Sequence, residues 1–247
     1  MKKHIFVLHP AVGPTRDPAE LAGMIGADVT ITVGGLDAGP VHLASQYEVA
    51  LAVPDCCAKA RQAEAAGVDA IVIDCMGDVG VAEIRENVRI PVLGPYQTSL
   101  AVASLLGQRC GIATMARQVV PVMYAEARRY GFADAIAALD AIDMSVAEMA
   151  ADPEERDRRL ADLCRRMVER DGADTIILGC TEMLGAETRL SATLRALGAD
   201  VAVVQPLVAT IAVAAAMLDA RLAHSKTAYP FPMFGNHVGY PHLGGAA

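Results

Sequence analysis

Two cysteines, Cys75 and Cys180, close two segments of this chain that read as copies of each other. Ala66-Gly67-Val68-Asp69-Ala70-Ile71-Val72-Ile73-Asp74-Cys75-Met76-Gly77 precedes Asp171-Gly172-Ala173-Asp174-Thr175-Ile176-Ile177-Leu178-Gly179-Cys180-Thr181-Glu182, with the cysteines 105 positions apart (180 − 75). In each copy a helix-stopping glycine and an aspartate lead into a short apolar, β-branched run, the pattern of a buried parallel strand after a helix. The cysteine then falls at the carboxyl end of that strand. Open α/β sheets bind ligands just beyond those ends, so a duplicated fold is expected to bring two thiols to one cleft from opposite sides. Inverting a hydrogen-bearing stereocentre requires a base on one face of the carbon and an acid on the other. A thiolate and a thiol supply that pair.

The remaining cysteines carry less chemistry. The chain has six, at positions 56, 57, 75, 110, 164 and 180, with no C-x-x-C pair and no His/Cys cluster at zinc spacing. Cys110, in a strand-like run, and Cys164, on an apolar helical face, read as small core residues. Cys56 and Cys57 sit early in a helix on different sides, so at least one is expected to be partly exposed. With no phosphate-cradling glycine motif and no metal cluster, neither cofactor nor metal is expected.

The formal net charge of −8 argues against nucleic acid or an anionic membrane as partner, because either needs a basic surface. Hydrophobic residues make up 53%, but the longest apolar stretch, Val201 to Leu218, is broken by Gln205 and Pro206 and reads as a strand followed by a helix. The apolar run after Met1-Lys2-Lys3 is too short for a signal peptide. A soluble cytoplasmic protein acting on a small molecule, and assembling as a homo-oligomer, is the expectation. The charged segment Asp152 to Arg170 alternates sign at helical spacing and reads as a solvated helix face.

Strands must carry the two cysteines. Candidates are Ile5–Leu8, Val29–Val33, Ala70–Asp74, Val92–Leu93, Cys110–Ala113, Ile142–Met144, Thr175–Leu178 and Ala202–Val204, alternating with helical stretches as in a parallel sheet covered on both faces. Asp17-Pro18 and Asp152-Pro153 mark helix starts, and Gly67, Gly107, Gly131, Gly172 and Gly198 mark stops. A second echo, Val92-Leu93-Gly94-Pro95 against Val203-Val204-Gln205-Pro206, supports duplication. The fold class expected is α/β, with two pseudo-symmetric lobes, each a mainly parallel sheet flanked by helices, and the active site in the cleft between them. Residues 1–96 form the first lobe, completed by a helix over 207–223, and 97–206 the second. The tail, 224–247, is expected to be an arm. From Ser225 onward it holds Tyr229, Phe231, Phe234 and Tyr240, four of the chain's ten Phe/Tyr residues, and reads as docked on its own surface or on a partner subunit. His237 and His242 within it read as solvated.

Asp74-Cys75-Met76-Gly77-Asp78-Val79-Gly80, Ile90-Pro91-Val92-Leu93-Gly94-Pro95 and Ile177-Leu178-Gly179-Cys180-Thr181-Glu182-Met183 resemble the aspartate/glutamate/hydantoin racemase superfamily over residues 5 to about 220. The G-D-x-G after Cys75, the Gly39-Pro40 loop with Tyr47-Glu48, and the chain length are most similar to hydantoin and allantoin racemases. Gly179-Cys180-Thr181-Glu182 instead resembles the amino-acid racemases. The resemblance implies a cofactor-independent two-base mechanism with Cys75 and Cys180 exchanging roles according to substrate handedness. It also implies substrate contacts at His9 and Pro10, at Met76, Gly77 and Asp78, and at Gln97, Thr114, Thr181 and Glu182. His9 stands where hydantoin racemases have asparagine, and Gln97 where they more often have glutamate. Substrates implied are a 5-substituted hydantoin, allantoin or a related amino-acid derivative. Aspartate or glutamate racemisation, and the malonate decarboxylases and maleate isomerases of similar fold, are the alternatives. A non-catalytic two-lobed binding protein is a further one, and it would not need both thiols.

Overall fold

The computed structural model describes residues 2–21 and 23–233. Among the described residues eight strands form two separate four-stranded sheets, every pairing parallel. The first contains β1 (Lys3–Leu8), β2 (Val29–Gly34), β3 (Ala70–Ile73) and β4 (Val92–Leu93) in the order β2-β1-β3-β4. The second contains β5 (Cys110–Thr114), β6 (Ile136–Ala141), β7 (Thr175–Leu178) and β8 (Ala202–Val204) in the order β6-β5-β7-β8. The two orders are the same permutation, so the repeat seen around the cysteines extends to whole sheets. Compact units divide after Gly94 and again after Ala209, the described residues from Thr210 to 233 belonging with the first.

In the first unit, α1 (Gln46–Ala65) and α2 (Val81–Asn87) pack with the sheet around a core of Leu8, Ile71, Ile73, Val79, Ile84 and Val92. In the second, α3 (Pro95–Leu106), α4 (Val120–Tyr130), α5 (Val146–Ala151), α6 (Pro153–Glu169) and α7 (Ala186–Ala196) accompany the sheet, with Ile176, Leu178, Leu160, Cys164 and Leu190 in its core. The apolar stretch from 201 to 218 resolves into β8 and α8 (Pro206–Asp219), as its Gln205-Pro206 break implies. No helix among the described residues is long and apolar enough to cross a membrane. Strands β3 and β7 are buried at every residue, which is why their sequences, Thr175 apart, are apolar throughout.

The repeated aspartate has a specific task in both halves. Asp69 accepts the backbone N–H of His4 at 2.8 Å, and Asp174 accepts those of Gln108 and Arg109 at 2.8–3.0 Å. Each carboxylate thus satisfies backbone N–H groups at the start of the neighbouring strand, β1 or β5. Gly67 and Gly172, two residues earlier, adopt φ of 83° and 74°, the left-handed turn that lets chain leaving a helix double back into the strand.

Three expectations need correction. The sixth strand is Ile136–Ala141, not Ile142–Met144. Its Ile-Ala-Ala-Leu-Asp-Ala sequence has weak strand character but suits an edge position beside β5; pairing ends at Ala141, and Asp143, at φ 51°, breaks the extended backbone inside the expected segment. Asp17-Pro18 begins only one 3₁₀ turn, Pro18–Leu21, with Gly23 at φ 80° just beyond it. Asp152, by contrast, does cap α6, accepting Glu155 N–H at 3.0 Å. Cys56 and Cys57 lie in the middle of α1 and both are buried. Cys56 shares the sheet-facing stripe with Ala52, Ala60 and Ala63, while Cys57 faces the side shared with α2, near Glu83 and Glu86.

The tail through residue 233 lies on the first unit. His224 Nε2 accepts the Val92 N–H at 2.8 Å, Lys226 Nζ donates to the carbonyls of Arg85 at 2.6 Å and Val88 at 2.5 Å, and Arg85 Nη1 donates to the Tyr229 hydroxyl at 3.2 Å. Phe231 packs beneath the cations of Arg89 and Lys226. Phe234, His237, Tyr240 and His242 lie outside the described residues. Burial, with Arg85 and Lys226 nearby, lowers His224 from 6.5 to about 4. Below pH 6.5 the unfolded chain therefore binds more protons than the native one, and stability present at neutral pH is lost as pH falls toward about 4. The urea midpoint is expected to drop across that window and to drop less in His224→Gln.

Candidate active site

Each cysteine stands in the same local construction. After β3, Asp74 N–H donates to the Leu8 carbonyl at 2.9 Å and the chain leaves the sheet at Cys75. After β7, Gly179 N–H donates to the Ala113 carbonyl at 2.8 Å and it leaves at Cys180. Tight turns follow: Asp78 N–H to Cys75 O at 3.1 Å, and Met183 N–H to Cys180 O at 3.2 Å. Val81 to Asp78 and Ala186 to Met183 repeat the step, both at 3.2 Å. Gly80 (φ 70°) and Gly185 (φ 78°) then open α2 and α7 in the left-handed conformation. Strand, cysteine, double turn and glycine cap coincide element by element.

In the first unit, the residues expected to meet substrate follow neighbouring strand ends, His9 and Pro10 after β1 and Met76, Gly77 and Asp78 after β3. His9 N–H donates to the Gly34 carbonyl at 2.8 Å, and Val12 N–H to Pro40 O at 2.8 Å, so the loop after β1 is laced to the loop after β2. Asp78 is buried at φ 47°, a backbone region that aspartate tolerates better than most residues. Its carboxylate presses on Gly94, where a Cβ would come within 2.3 Å of Cγ. That close approach is why glycine stands there.

Cys75 is half-buried, and Gly77 N–H points at its sulfur at 3.5 Å. Burial pushes the thiol up to about 11, Gly77 pulls it down, and the carboxylates of Asp74 and Asp78 push it further up. At neutral pH Cys75 therefore rests as the thiol. A thiolate at Cys75 is opposed by two carboxylates.

In the second unit, Thr114 ends β5, Cys180 and Thr181 follow β7, and Gln97 lies in the first turn of α3. The Thr114 hydroxyl donates to the Gly179 carbonyl at 3.2 Å, bracing the backbone just before Cys180. Thr181 is buried and Glu182 exposed. Gln97 apart, the two halves of the expected residue set thus gather within their own units, at the carboxyl ends of equivalent strands.

Three residues escaped the sequence reading. Gln205, taken only as a break in an apolar run, is buried; its Nε2 donates to Thr181 O at 3.4 Å and its Oε1 accepts Val208 N–H at 2.8 Å, capping α8. Asp74 was read as a strand residue and Arg16 not at all. Arg16 Nε donates to Asp74 Oδ2 at 3.1 Å with both side chains almost fully buried, 3% and 1% exposed. Among the described residues no group of His, Cys, Asp or Glu is disposed to hold a metal ion.

The Asp/Glu/Hydantoin racemase family model matches residues 19–217, and the chain belongs to that family of isomerases. Within it, the chain is 31% identical to the hydantoin racemase of Rhizobium meliloti across 99% of this chain and 87% of the relative. It is 29% identical to the hydantoin racemase of Pseudomonas sp. (strain NS671) across 86% and 84%. An allantoin racemase structure from Klebsiella pneumoniae superposes with a TM-score of 0.88 over 99% of this chain and 100% of that one, at 24% identity, showing the shared fold.

Proposed function

We propose that the protein is a cofactor-independent racemase that inverts a chiral carbon next to a carbonyl, with a 5-substituted hydantoin, allantoin or a related amino-acid derivative as substrate. The observation that carries this reading is the duplicated cysteine turn, the same backbone construction ending in Cys75 and in Cys180. One sulfur removes the proton from one face of the carbon and the other delivers a proton to the opposite face, their roles swapping with substrate handedness. The adjacent carbonyl makes the proton removable by delocalising the carbanion's charge onto oxygen. The turn at Met76 to Asp78, and the side chains of His9, Gln97, Thr114, Thr181 and Glu182, are the groups assigned to holding substrate. The similarity to hydantoin racemases supports a hydantoin, while the Gly179-Cys180-Thr181-Glu182 motif keeps aspartate and glutamate in the test set.

The test is α-proton exchange in D₂O, followed by proton NMR across enantiopure 5-substituted hydantoins, allantoin, aspartate and glutamate. Racemisation of a cyclic ureide is expected, unchanged by chelators and without added pyridoxal phosphate, and abolished by iodoacetamide. Activity that appears only with a divalent metal or pyridoxal phosphate would overturn the reading.

A further inference from the structure

We propose that Arg16 is a positioning residue for Cys75: clamped on the Asp74 carboxylate, it offsets the negative charge beside the sulfur and pins the loop after β1 to the end of β3. The inference rests on Cys75 exchanging a proton with substrate. Arg16 Nε lies 3.1 Å from Asp74 Oδ2 and Nη2 3.5 Å from Oδ1, a two-pronged contact, while Nη1 reaches Glu20 Oε2 at 3.0 Å. Glu20 in turn accepts the Asp17 N–H at 3.3 Å. The guanidinium therefore ties the 3₁₀ turn Pro18–Leu21, and the loop that carries His9 and Pro10, to the residue directly preceding Cys75.

Stability alone is a poor reason to bury these two charges. Desolvating a guanidinium and a carboxylate costs about as much as their attraction returns, and apolar residues of similar volume commonly do as well. Position offers a better reason. At the matching site of the second unit stands Gly179, which carries no charge, so the pair belongs to one cysteine only. The groups acting on the Cys75 sulfur are Asp74 and Asp78 on its own turn and the Gly77 N–H, while Cys56 of α1 in turn feels Cys75. Two carboxylates oppose a thiolate there. Arg16, buried behind one of them, supplies a compensating cation.

The experiment follows Cys75 ionisation directly in the full-length protein, by the pH dependence of iodoacetamide alkylation with the Cys75 peptide quantified by mass spectrometry. Arg16→Gln is expected to raise the apparent pKa by about half to one unit, Asp74→Asn to lower it by a similar amount, and the double variant to return near the parent value. At a fixed pH below the transition these are opposite changes of about three- to tenfold in alkylation rate. Arg16→Lys, which keeps the charge but loses the fork, should stay close to the parent. If Arg16→Gln does not fold, Asp74→Asn and the double variant still decide the matter. An unmoved Cys75 in folded Asp74→Asn, or shifts of the same sign in both single variants, would overturn the proposal. Because this titration needs no substrate, failure of the racemase reading would show separately, as a parent protein that racemises none of the panel.

Discussion

Cys75→Ser is expected to cut racemisation of both enantiomers by about 10²- to 10⁴-fold, because each direction uses that sulfur once, as base or as acid. Serine keeps the shape but not the acidity, since a hydroxyl is far harder to ionise than a thiol. The loss should nevertheless be one-sided in a second readout. The enantiomer whose proton Cys180 removes can still be deprotonated, and can take deuterium back on the same face, so it should keep exchanging slowly in D₂O without inverting. Cys180→Ser should show the mirror image, with exchange surviving only for the other enantiomer. Chiral chromatography measures inversion and NMR measures exchange on the same samples. Equal residual inversion of both enantiomers in either variant would rule out the assignment and favour a single-cysteine isomerase or decarboxylase.

The second large effect is expected at Gly179→Ala. A Cβ there would lie 2.7 Å from both Cα and Cβ of Thr114 and 3.0 Å from the Ala113 carbonyl oxygen. Two of those three atoms are backbone of the neighbouring strand and cannot swing aside, so β5 and β7 must part or the chain before Cys180 must rotate. Overpacking of this kind costs about 1–3 kcal/mol. It should appear as a Tm lower by several degrees for a chain this size. Activity should suffer more, since displacing a reacting group by about 1 Å costs on the order of 10²-fold. A thermal melt beside steady-state kinetics separates the two losses, and an unchanged kcat with an unchanged Tm would show that the contact is not as close as the structure has it.

Much of this was legible in sequence for one physical reason. Strands β3 and β7 are buried on both faces, so every position in Ala70–Ile73 and Thr175–Leu178 had to be apolar or small, and the repeat could be seen through substitution. The glycines at 67 and 172 and the aspartates at 69 and 174 were legible because backbone geometry demands their types. Ile136–Ala141 was hidden because an edge strand facing β5 on one side only tolerates alanine. Cys57 was misjudged because the buried surface of α1 wraps past its sheet-facing stripe onto α2, which a helical period alone does not reveal. The Arg16–Asp74 pair joins residues 58 apart through a loop with no periodic signal, and only folding brings them together.

The central claim, that two sulfurs serve the two faces of one carbon, is tested most directly by the fate of deuterium in the parent enzyme. An enantiopure 5-alkylhydantoin is incubated in D₂O at neutral pH, stopped at about one-tenth conversion, and its enantiomers are separated for mass spectrometry. Two separate acid/base groups predict that the newly formed enantiomer carries one solvent deuterium while the recovered substrate remains protiated. Deuterium accumulating in the recovered substrate as fast as in the product, or a product that keeps the original proton, would contradict it.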